Sequence, residues 1–377
     1  MIKILILHVE AGHGHRRAAE AIADEFKSRG NSGIQIEVFD ALEKTNRPFK
    51  HFYPKIYHQM ILWVPWLWGF FYFLTDLSPI YFILAPLRSL WNRFQARRLR
   101  EYIKEKQFDF ILFTHFFPAE VCARAKREGL IRSRLITAVT DVIPHAVWVN
   151  PGTDHYWVMA EESIELIAGK GISKELIFPG GIPISSHFIT KPEKEPLREK
   201  LGLKNDRMTL LFTSGSFGTG PTEKILDSLQ ALGGKIQVLI VCGQNKSLFE
   251  TLNKRRFSFP IFLFGFVNNM PELMSVSDLL IAKPGGMTMC ESLVKGIPII
   301  IIAPIPGQET YNAKWLLKRR AAFQVKRPNE IKDIVSRLID DAHLFESTQS
   351  AIAQIAKPYA ARDLVDFVLK NPKGNRQ

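Results

Sequence analysis

Ile2-Lys3-Ile4-Leu5-Ile6-Leu7-His8-Val9-Glu10-Ala11-Gly12-His13-Gly14-His15 opens the chain, and its reading decides the fold. A short apolar run of strand length ends in a glycine-bearing turn. Residues 16–27 then carry helical spacing and residues 34–39 a second strand-like run, a pattern that predicts a βαβ opening. Runs at 108–114, 134–139 and 155–158 extend the expected sheet, with helical segments at 119–128 and 161–170 between them. After Phe178-Pro179-Gly180-Gly181-Ile182-Pro183, the polar stretch Lys191-Pro192-Glu193-Lys194-Glu195-Pro196 reads as an interdomain linker. The alternation resumes beyond it, with strands expected at 208–213, 236–241, 261–264, 279–282 and 297–302. The expectation is two doubly wound α/β domains, residues 1–190 and 191–355, with ligands at the carboxyl ends of the strands in a cleft between them.

A length of 377 residues also favours two domains. With 46% hydrophobic and 23% charged residues, collagen-like, disordered and disulfide-scaffold classes are excluded. Fifty basic residues against thirty-seven acidic ones leave a net charge of +13, which favours an anionic partner. Cys122, Cys242 and Cys290 are scattered in apolar surroundings and read as reduced, buried thiols of a cytosolic protein. The N-terminus lacks the basic, apolar and small-residue succession of a signal peptide.

Residues 49–106 interrupt the regular pattern. Between Met60 and Leu87 the only charge is Asp76, and Trp63, Trp66, Trp68 and Phe71 stand among many aromatic residues. Pro65, Gly69, Asp76, Pro79 and Pro86 break the run, so a transmembrane helix is not expected. Arg88, Arg93, Arg97 and Arg98 follow directly. Aromatic-then-basic order predicts peripheral attachment to anionic membrane lipids, on the inner face of the cell membrane. The alternative is an aromatic-rich core insertion beside a solvated basic helix. No nucleic-acid-binding motif accompanies the charge, and no nucleic-acid partner is expected.

The first turn, with Gly12 and Gly14, suits close approach of a ligand to backbone N–H groups. The third glycine of a dinucleotide fingerprint is replaced by Arg17, which argues against a dehydrogenase. His15, at the helix start, is a candidate general base or a polar residue making a structural hydrogen bond. Asp141 and His145, in Thr140-Asp141-Val142-Ile143-Pro144-His145-Ala146-Val147-Trp148, follow another strand and are alternative bases or a pair orienting the acceptor. Their spacing matches no common metal-ligand set, and neither metal nor cofactor is expected. The turn Ser214-Gly215-Ser216 suits a phosphate but lacks the Gly-Lys-Ser/Thr end of a P-loop, against an ATPase or GTPase.

The stretch with Gly265-Phe266-Val267, Lys283-Pro284-Gly285-Gly286-Met287-Thr288, Glu291, Pro306-Gly307-Gln308-Glu309 and Asn312 resembles the nucleotide-sugar half of the family 28 glycosyltransferases. Its wording is similar to that of the diacylglycerol glycosyltransferases, which include bacterial processive glucosyltransferases and plastid monogalactosyldiacylglycerol synthases. Gly12-His13-Gly14-His15, Thr140-Asp141 with His145 and Trp148, and Gly181-Ile182-Pro183 agree, so the resemblance spans nearly the whole chain. His13 between the two glycines departs from the plainest family pattern.

The resemblance implies a GT-B fold of two Rossmann-like domains, an acceptor- and membrane-binding one followed by a donor-binding one, with a helix in residues 356–377 crossing back to the first. It implies an inverting enzyme that moves glucose or galactose from a UDP-sugar to diacylglycerol, giving a β-glycosyldiacylglycerol, with no obligate protein partner. Ser214, Gly215 and Ser216 would join the donor site, and Phe266 and Val267 would meet uracil. Glu291 would accept from the ribose hydroxyls. Gly285, Gly286, Thr288 and Lys283 would face the diphosphate. Gln308 and Glu309 would contact sugar hydroxyls, and Asn312 would hold that loop or the donor. An N-acetylglucosaminyltransferase acting on a polyprenyl-linked acceptor keeps the fold, but usually carries a Gln-Gln pair where Gln308-Glu309 stand here. A UDP-sugar 2-epimerase would have little use for the aromatic and basic segment.

Overall fold

The computed structural model describes residues 1–10, 12–30, 33–213 and 220–371. Two compact units emerge. One comprises Met1–Ser186, Pro306–Gln308 and the chain from Tyr359; the other comprises His187–Ile305 and Glu309–Pro358.

The first unit runs β1 (Ile2–His8), α1 (His13–Ser28), β2 (Ile34–Asp40), α2 (Arg47–Trp63), α3 (Pro65–Asp76), α4 (Ser78–Gln95), α5 (Arg97–Lys106), β3 (Phe110–Phe113), α6 (Phe116–Arg127), β4 (Arg134–Ala138), β5 (His155–Trp157), α7 (Glu162–Ala168) and β6 (Ile177–Phe178). Its sheet has the order β2-β1-β3-β4-β5-β6, and every neighbouring pair is parallel. Alternate residues of β1 face opposite sides, as strand geometry requires. Ile4 and Ile6 join a core with Ala19, Ile22 and Phe26 of α1. Leu5 and Leu7 join another with Leu99 and Ile103 of α5 and Phe117 and Cys122 of α6. A strand buried on both faces explains the near-continuous apolar run at the start of the sequence.

The second unit runs α8 (Lys194–Lys200), β7 (Met208–Thr213), α9 (Thr222–Leu229), β8 (Ile236–Val241), α10 (Lys246–Asn253), β9 (Ile261–Phe264), α11 (Met270–Val276), β10 (Leu279–Ala282), α12 (Gly286–Lys295), β11 (Ile299–Ile301), α13 (Gln308–Lys318), β12 (Ala322–Gln324), α14 (Ile331–Asp340) and α15 (Ala342–Ile355). The sheet order is β12-β11-β10-β7-β8-β9, again with parallel pairs. The last helix, α16 (Ala360–Lys370), belongs to the first unit. Leu364, Val365 and Val368 enter the core of β1 and α1, and Asp366 pairs with Arg29 at 2.7 Å.

In both sheets the strand order reverses beside the first strand, between β1 and β3 and between β7 and β10. Loops leaving the two strands on either side of such a reversal diverge and leave a crevice at their carboxyl ends. Residues 49–106 lie in the four helices α2 to α5, and prolines stand in the first two positions of three of them. Proline suits that place because the N–H it lacks would be unpaired there anyway.

Candidate active site

The crevice of the first sheet is lined from β1, β3 and β4. His15 is the third residue of α1, whose N-cap, Gly12, offers no side-chain cap. A Cβ at Gly12 would meet nothing within 4 Å, so the space beside the turn is open. Gly14 lies within the first turn of the helix. The His15 ring is anchored from β3: Nδ1 lies 2.7 Å from the Thr114 carbonyl oxygen, and the Thr114 hydroxyl donates to the His15 carbonyl at 2.8 Å. A carbonyl oxygen only accepts, so Nδ1 carries the proton and Nε2 keeps its lone pair. The Thr140 hydroxyl, just past β4, stands 3.0 Å from the same Nδ1. Burial lowers the His15 pKa to about 4, against the opposing effect of the Thr114 bond. His15 is therefore a neutral imidazole with a fixed tautomer, as a proton acceptor requires.

His115 was not among the expected site residues, yet its ring meets that of His15 edge to face at 4.6 Å between centroids. It is buried, and its Nδ1 accepts from the Phe117 N–H at 3.1 Å, capping α6. Burial also lowers its pKa, followed by the charge of His15. In sequence its signal is a polar pair, Thr114-His115, at the end of an apolar run. Only the placement of β3 beside β1 turns that signal into a site.

Asp141 is buried, and its two oxygens accept from Trp148 Nε1 at 2.7 Å and from Gln308 Nε2, a residue of the same unit. Burial raises its pKa to about 7, against the Trp148 bond. Trp148 lies 6.3 Å from His15, centroid to centroid.

His145, expected as an alternative base or as one of a pair orienting the acceptor, has both ring nitrogens engaged. Its Nδ1 accepts from the Val147 N–H at 3.1 Å, and its Nε2 donates to the Tyr72 carbonyl at 2.8 Å. Both nitrogens are committed to the backbone, which leaves no lone pair for a substrate proton. The residue fastens its loop to α3 instead.

In the second unit the loops after β10 and β11 lie side by side. Lys283, Gly285 and Gly286 form the turn into α12, with Gly285 as N-cap and no side-chain cap. No acidic residue occupies the first turn, which contains Thr288 and offers N–H groups and a positive dipole end to an anion. Glu291 is buried one turn further on. Asn312 donates from Nδ2 to the Pro284 carbonyl at 2.8 Å, joining α13 to this turn. Glu309 accepts from the Ile305 N–H at 2.8 Å. Burial raises the Glu309 pKa and lowers that of Lys283, and each charge partly restores the other. Phe266 is exposed beyond β9, with Val267 half-buried after it. Ser214, Gly215 and Ser216 lie outside the described residues. Among the described residues no group of three or more His, Cys, Asp or Glu side chains is placed to hold a metal ion.

Fifteen of the twenty large apolar side chains that stay exposed among the described residues lie between Phe52 and Phe94, so the exposure belongs to one segment. Trp63 is 80% exposed and Trp66 69%, with Phe71 also exposed and Trp68 half-buried near Tyr72. α4 is amphipathic in the inverted sense. Ile83, Leu84, Leu87, Leu90, Trp91 and Phe94 face outward. Its inward face is polar: Arg88 and Asn92 donate to Glu120 of α6 at 3.1 and 2.6 Å. Arg88, expected at a lipid surface, is thus drawn inward by a buried carboxylate and also packs over Tyr81. Arg93 reaches Glu128 at 3.4 Å, Arg97 pairs along its own helix with Glu101 at 2.9 Å, and Arg98 is exposed. No single helix among the described residues is long and apolar enough to cross a membrane; the bent pair Pro65–Asp76 and Pro79–Gln95 reaches that length and composition together.

Residues 15–184 match the family described as monogalactosyldiacylglycerol (MGDG) synthase, and residues 209–366 match the glycosyltransferase family 28 C-terminal domain. A processive diacylglycerol beta-glucosyltransferase of Bacillus cereus is 28% identical over 375 residues, covering 97% of this chain and 93% of the relative. One of Bacillus pumilus is 26% identical over 370 residues, covering 98% and 94%. Among solved structures, MurG of Acinetobacter baumannii superposes with a TM-score of 0.65 at 16% identity over 98% of this chain and all (100%) of that one. UDP-GlcNAc 2-epimerase of Neisseria meningitidis, bound to UDP-GlcNAc, gives 0.62 at 13% identity over 98% and 100%. HepE of Anabaena in complex with UDP gives 0.58 at 16% identity over 98% and 100%. At such identities these three likenesses concern the fold, which is GT-B.

Proposed function

Because the chain belongs to the family 28 glycosyltransferases, with an MGDG-synthase domain ahead of that family's C-terminal domain, we propose that it transfers glucose or galactose from a UDP-sugar to diacylglycerol at a membrane surface. The observation that carries the reading is His15: a neutral imidazole with Nδ1–H tied to a carbonyl and its Nε2 lone pair uncommitted to that bond. His15 takes the proton of the diacylglycerol hydroxyl as the new oxygen–carbon bond forms at the anomeric centre. The bond from that carbon to the diphosphate breaks in line, UDP departs with the electron pair, and an α-linked donor becomes a β-glycoside.

The developing charge on UDP needs compensation. The N–H groups at the start of α12, with Lys283 beside them, supply it without calling on a metal. Glu291 receives the ribose hydroxyls, with Phe266 and Val267 on the base. The acceptor is apolar and resides in a bilayer, which accounts for the exposed aromatic faces of α2 to α4. Tryptophan favours the headgroup zone and basic residues favour anionic lipid. Arg93, Arg97 and Arg98 fill that role, and Arg88 serves the interior. These basic and aromatic groups support a peripheral attachment, which we propose to be on the cytoplasmic face, where anionic lipid is enriched.

The test is UDP release and glycolipid formation on vesicles of diacylglycerol and anionic phospholipid, comparing UDP-glucose, UDP-galactose and UDP-N-acetylglucosamine. A hexosyl-diacylglycerol is expected from one of the first two. Reaction only of the third donor, with a polyprenyl acceptor, refutes the reading. His15→Ala is expected to bind UDP and lose turnover; near-normal turnover removes His15 as the base.

A further inference from the structure

The last turn of α3 touches the catalytic loop, while the rest of the helix turns its aromatic side chains to solvent. Trp66, Phe70 and Phe73 are exposed along α3, with Leu77 just past its end. At its other face the Tyr72 carbonyl accepts from His145 Nε2 at 2.8 Å, and the Tyr72 and His145 rings stand 4.5 Å apart. Asp76 Oδ1 accepts from the Ala146 N–H at 2.8 Å and lies 3.6 Å from the Lys170 ammonium. The segment held this way, residues 141–148, carries Asp141 and Trp148, which are bonded to each other at 2.7 Å. Trp148 in turn neighbours His15 and His115.

The fit of α3 is also close elsewhere in this unit. A Cβ on Gly69 would lie 2.6 Å from Pro306 Cβ, and one on Gly307 would lie 2.8 Å from the Tyr72 ring. Gln308, the next residue, donates to Asp141. One short helix therefore sets two segments that meet at Asp141, and neither of its close approaches tolerates a methyl group.

From this arrangement we propose that α3 couples contact with a lipid surface to the geometry around His15, and that Asp76, Tyr72 and His145 are positioning residues for transfer. The inference rests on the reading of α2 to α4 as a lipid-binding face. Seating the apolar side of α3 in a bilayer fixes the helix. Its last turn then holds residues 141–148 through the Tyr72–His145 and Asp76–Ala146 bonds. Without a surface, α3 leaves Trp66, Phe70, Phe71 and Phe73 in water, and the loop it straps is free to relax with it. A ligand shifts such an equilibrium only by binding one arrangement better, and here the bilayer is that ligand.

The experiment separates lipid as surface from lipid as substrate. Dihexanoylglycerol below its micelle concentration serves as acceptor with UDP-hexose, with and without acceptor-free vesicles of phosphatidylcholine and phosphatidylglycerol. Wild-type turnover is expected to rise about tenfold on adding vesicles, the equivalent of one decade in the population of the competent loop. Asp76→Ala is expected to sediment with vesicles as the wild type does while losing that rise. Asp76→Asn, whose amide oxygen still accepts from Ala146, is expected to recover it.

Hydrogen exchange on the wild type provides a second reading that needs no variant to fold: amides of 145–148 are expected to slow when vesicles are added. Equal turnover with and without vesicles overturns the proposal. So does full stimulation of Asp76→Ala, or unchanged exchange at 145–148. If the wild type transfers no sugar under any condition, the proposed function fails, and the exchange measurement still decides the coupling.

Discussion

Lowering the pH from 8 to 5.5 distinguishes His15 from Asp141 as the group proposed to take the acceptor's proton. Burial lowers the His15 pKa from 6.5 to about 4 and raises that of Asp141 from 3.8 to about 7. A base must be in its unprotonated form, so a lowered pKa moves the acid limb of the rate profile to lower pH and a raised pKa moves it to higher pH. At pH 5.5 a histidine with a pKa of about 4 is about 97% neutral, whereas an ordinary one near 6.5 would be about 9% neutral. A carboxyl with a pKa of about 7 would be only about 3% ionised at the same pH, roughly a thirtyfold loss of the active form. With His15 as base, kcat/KM for the donor is expected to stay level to about pH 5 and fall only as the pH approaches 4. Initial rates of UDP release on diacylglycerol vesicles, at constant ionic strength from pH 4.5 to 9, give the profile. A bend near pH 7, together with an Asp141→Asn variant that binds UDP and does not turn over, would transfer the role to Asp141. A bend near 6.5 that follows His15 would refute the burial argument itself.

Two stability predictions follow from packing. Gly307 has φ +100 and a built Cβ 2.8 Å from the Tyr72 ring, so Gly307→Ala combines left-handed strain with overpacking. A loss of about 2–4 kcal/mol in urea unfolding is expected, and a loss under about 0.5 kcal/mol would show that α3 moves aside freely. Glu120 is 6% exposed and accepts from both Arg88 and Asn92. Glu120→Ala strands a partly buried guanidinium, with an expected cost of about 2–3 kcal/mol by the same measurement after allowing for the solvent that still reaches Arg88. In vesicle sedimentation, Trp63→Ser with Trp66→Ser is expected to weaken lipid binding by about a hundredfold, each exposed indole being worth roughly one decade. UDP binding should be unchanged, and intact vesicle binding would remove α2 and α3 from the lipid face.

Much of the fold was readable because strands buried on both faces announce themselves. Ile2–His8, Ile236–Val241 and Leu279–Ala282 are apolar almost throughout, broken only by Lys3, His8 and Gln237. Ile177–Phe178 and Ala322–Gln324 escaped notice, since two or three residues carry no periodicity that a strand could display. His15 could be placed because its turn and helix are adjacent in sequence. His115 could not, since its meaning comes from the pairing of the strand before it, β3, with β1, whose residues lie 106 positions earlier in the chain (Ile4 beside Phe110). The greasy segment declared its composition and hid its orientation. That Arg88 faces inward depends on Glu120, a residue of a later helix that no spacing within 49–106 reveals. The surroundings of His145 were hidden for a related reason: a histidine's chemistry is set by what each ring nitrogen already touches, and Tyr72 and Thr75, which face its Nε2, lie some seventy residues away in sequence.

The return of α16 to the first unit has a consequence for biosynthesis. Leu364, Val365 and Val368 complete the core around Ile4, Ile6 and Phe26, and Phe367 closes an aromatic cluster with His155 and Phe178 at 5.0 and 4.6 Å. A ribosome that has finished residue 186 has made nearly all of that unit and still lacks one wall of it. At about 5–20 residues per second, the missing helix arrives roughly 10–40 s later. During that interval the sheet presents an uncovered apolar face to water, at a time when the exposed aromatic helices are also looking for a surface. The nascent chain is thus at its most adhesive midway through translation, and α16 acts as the latch that ends the hazard.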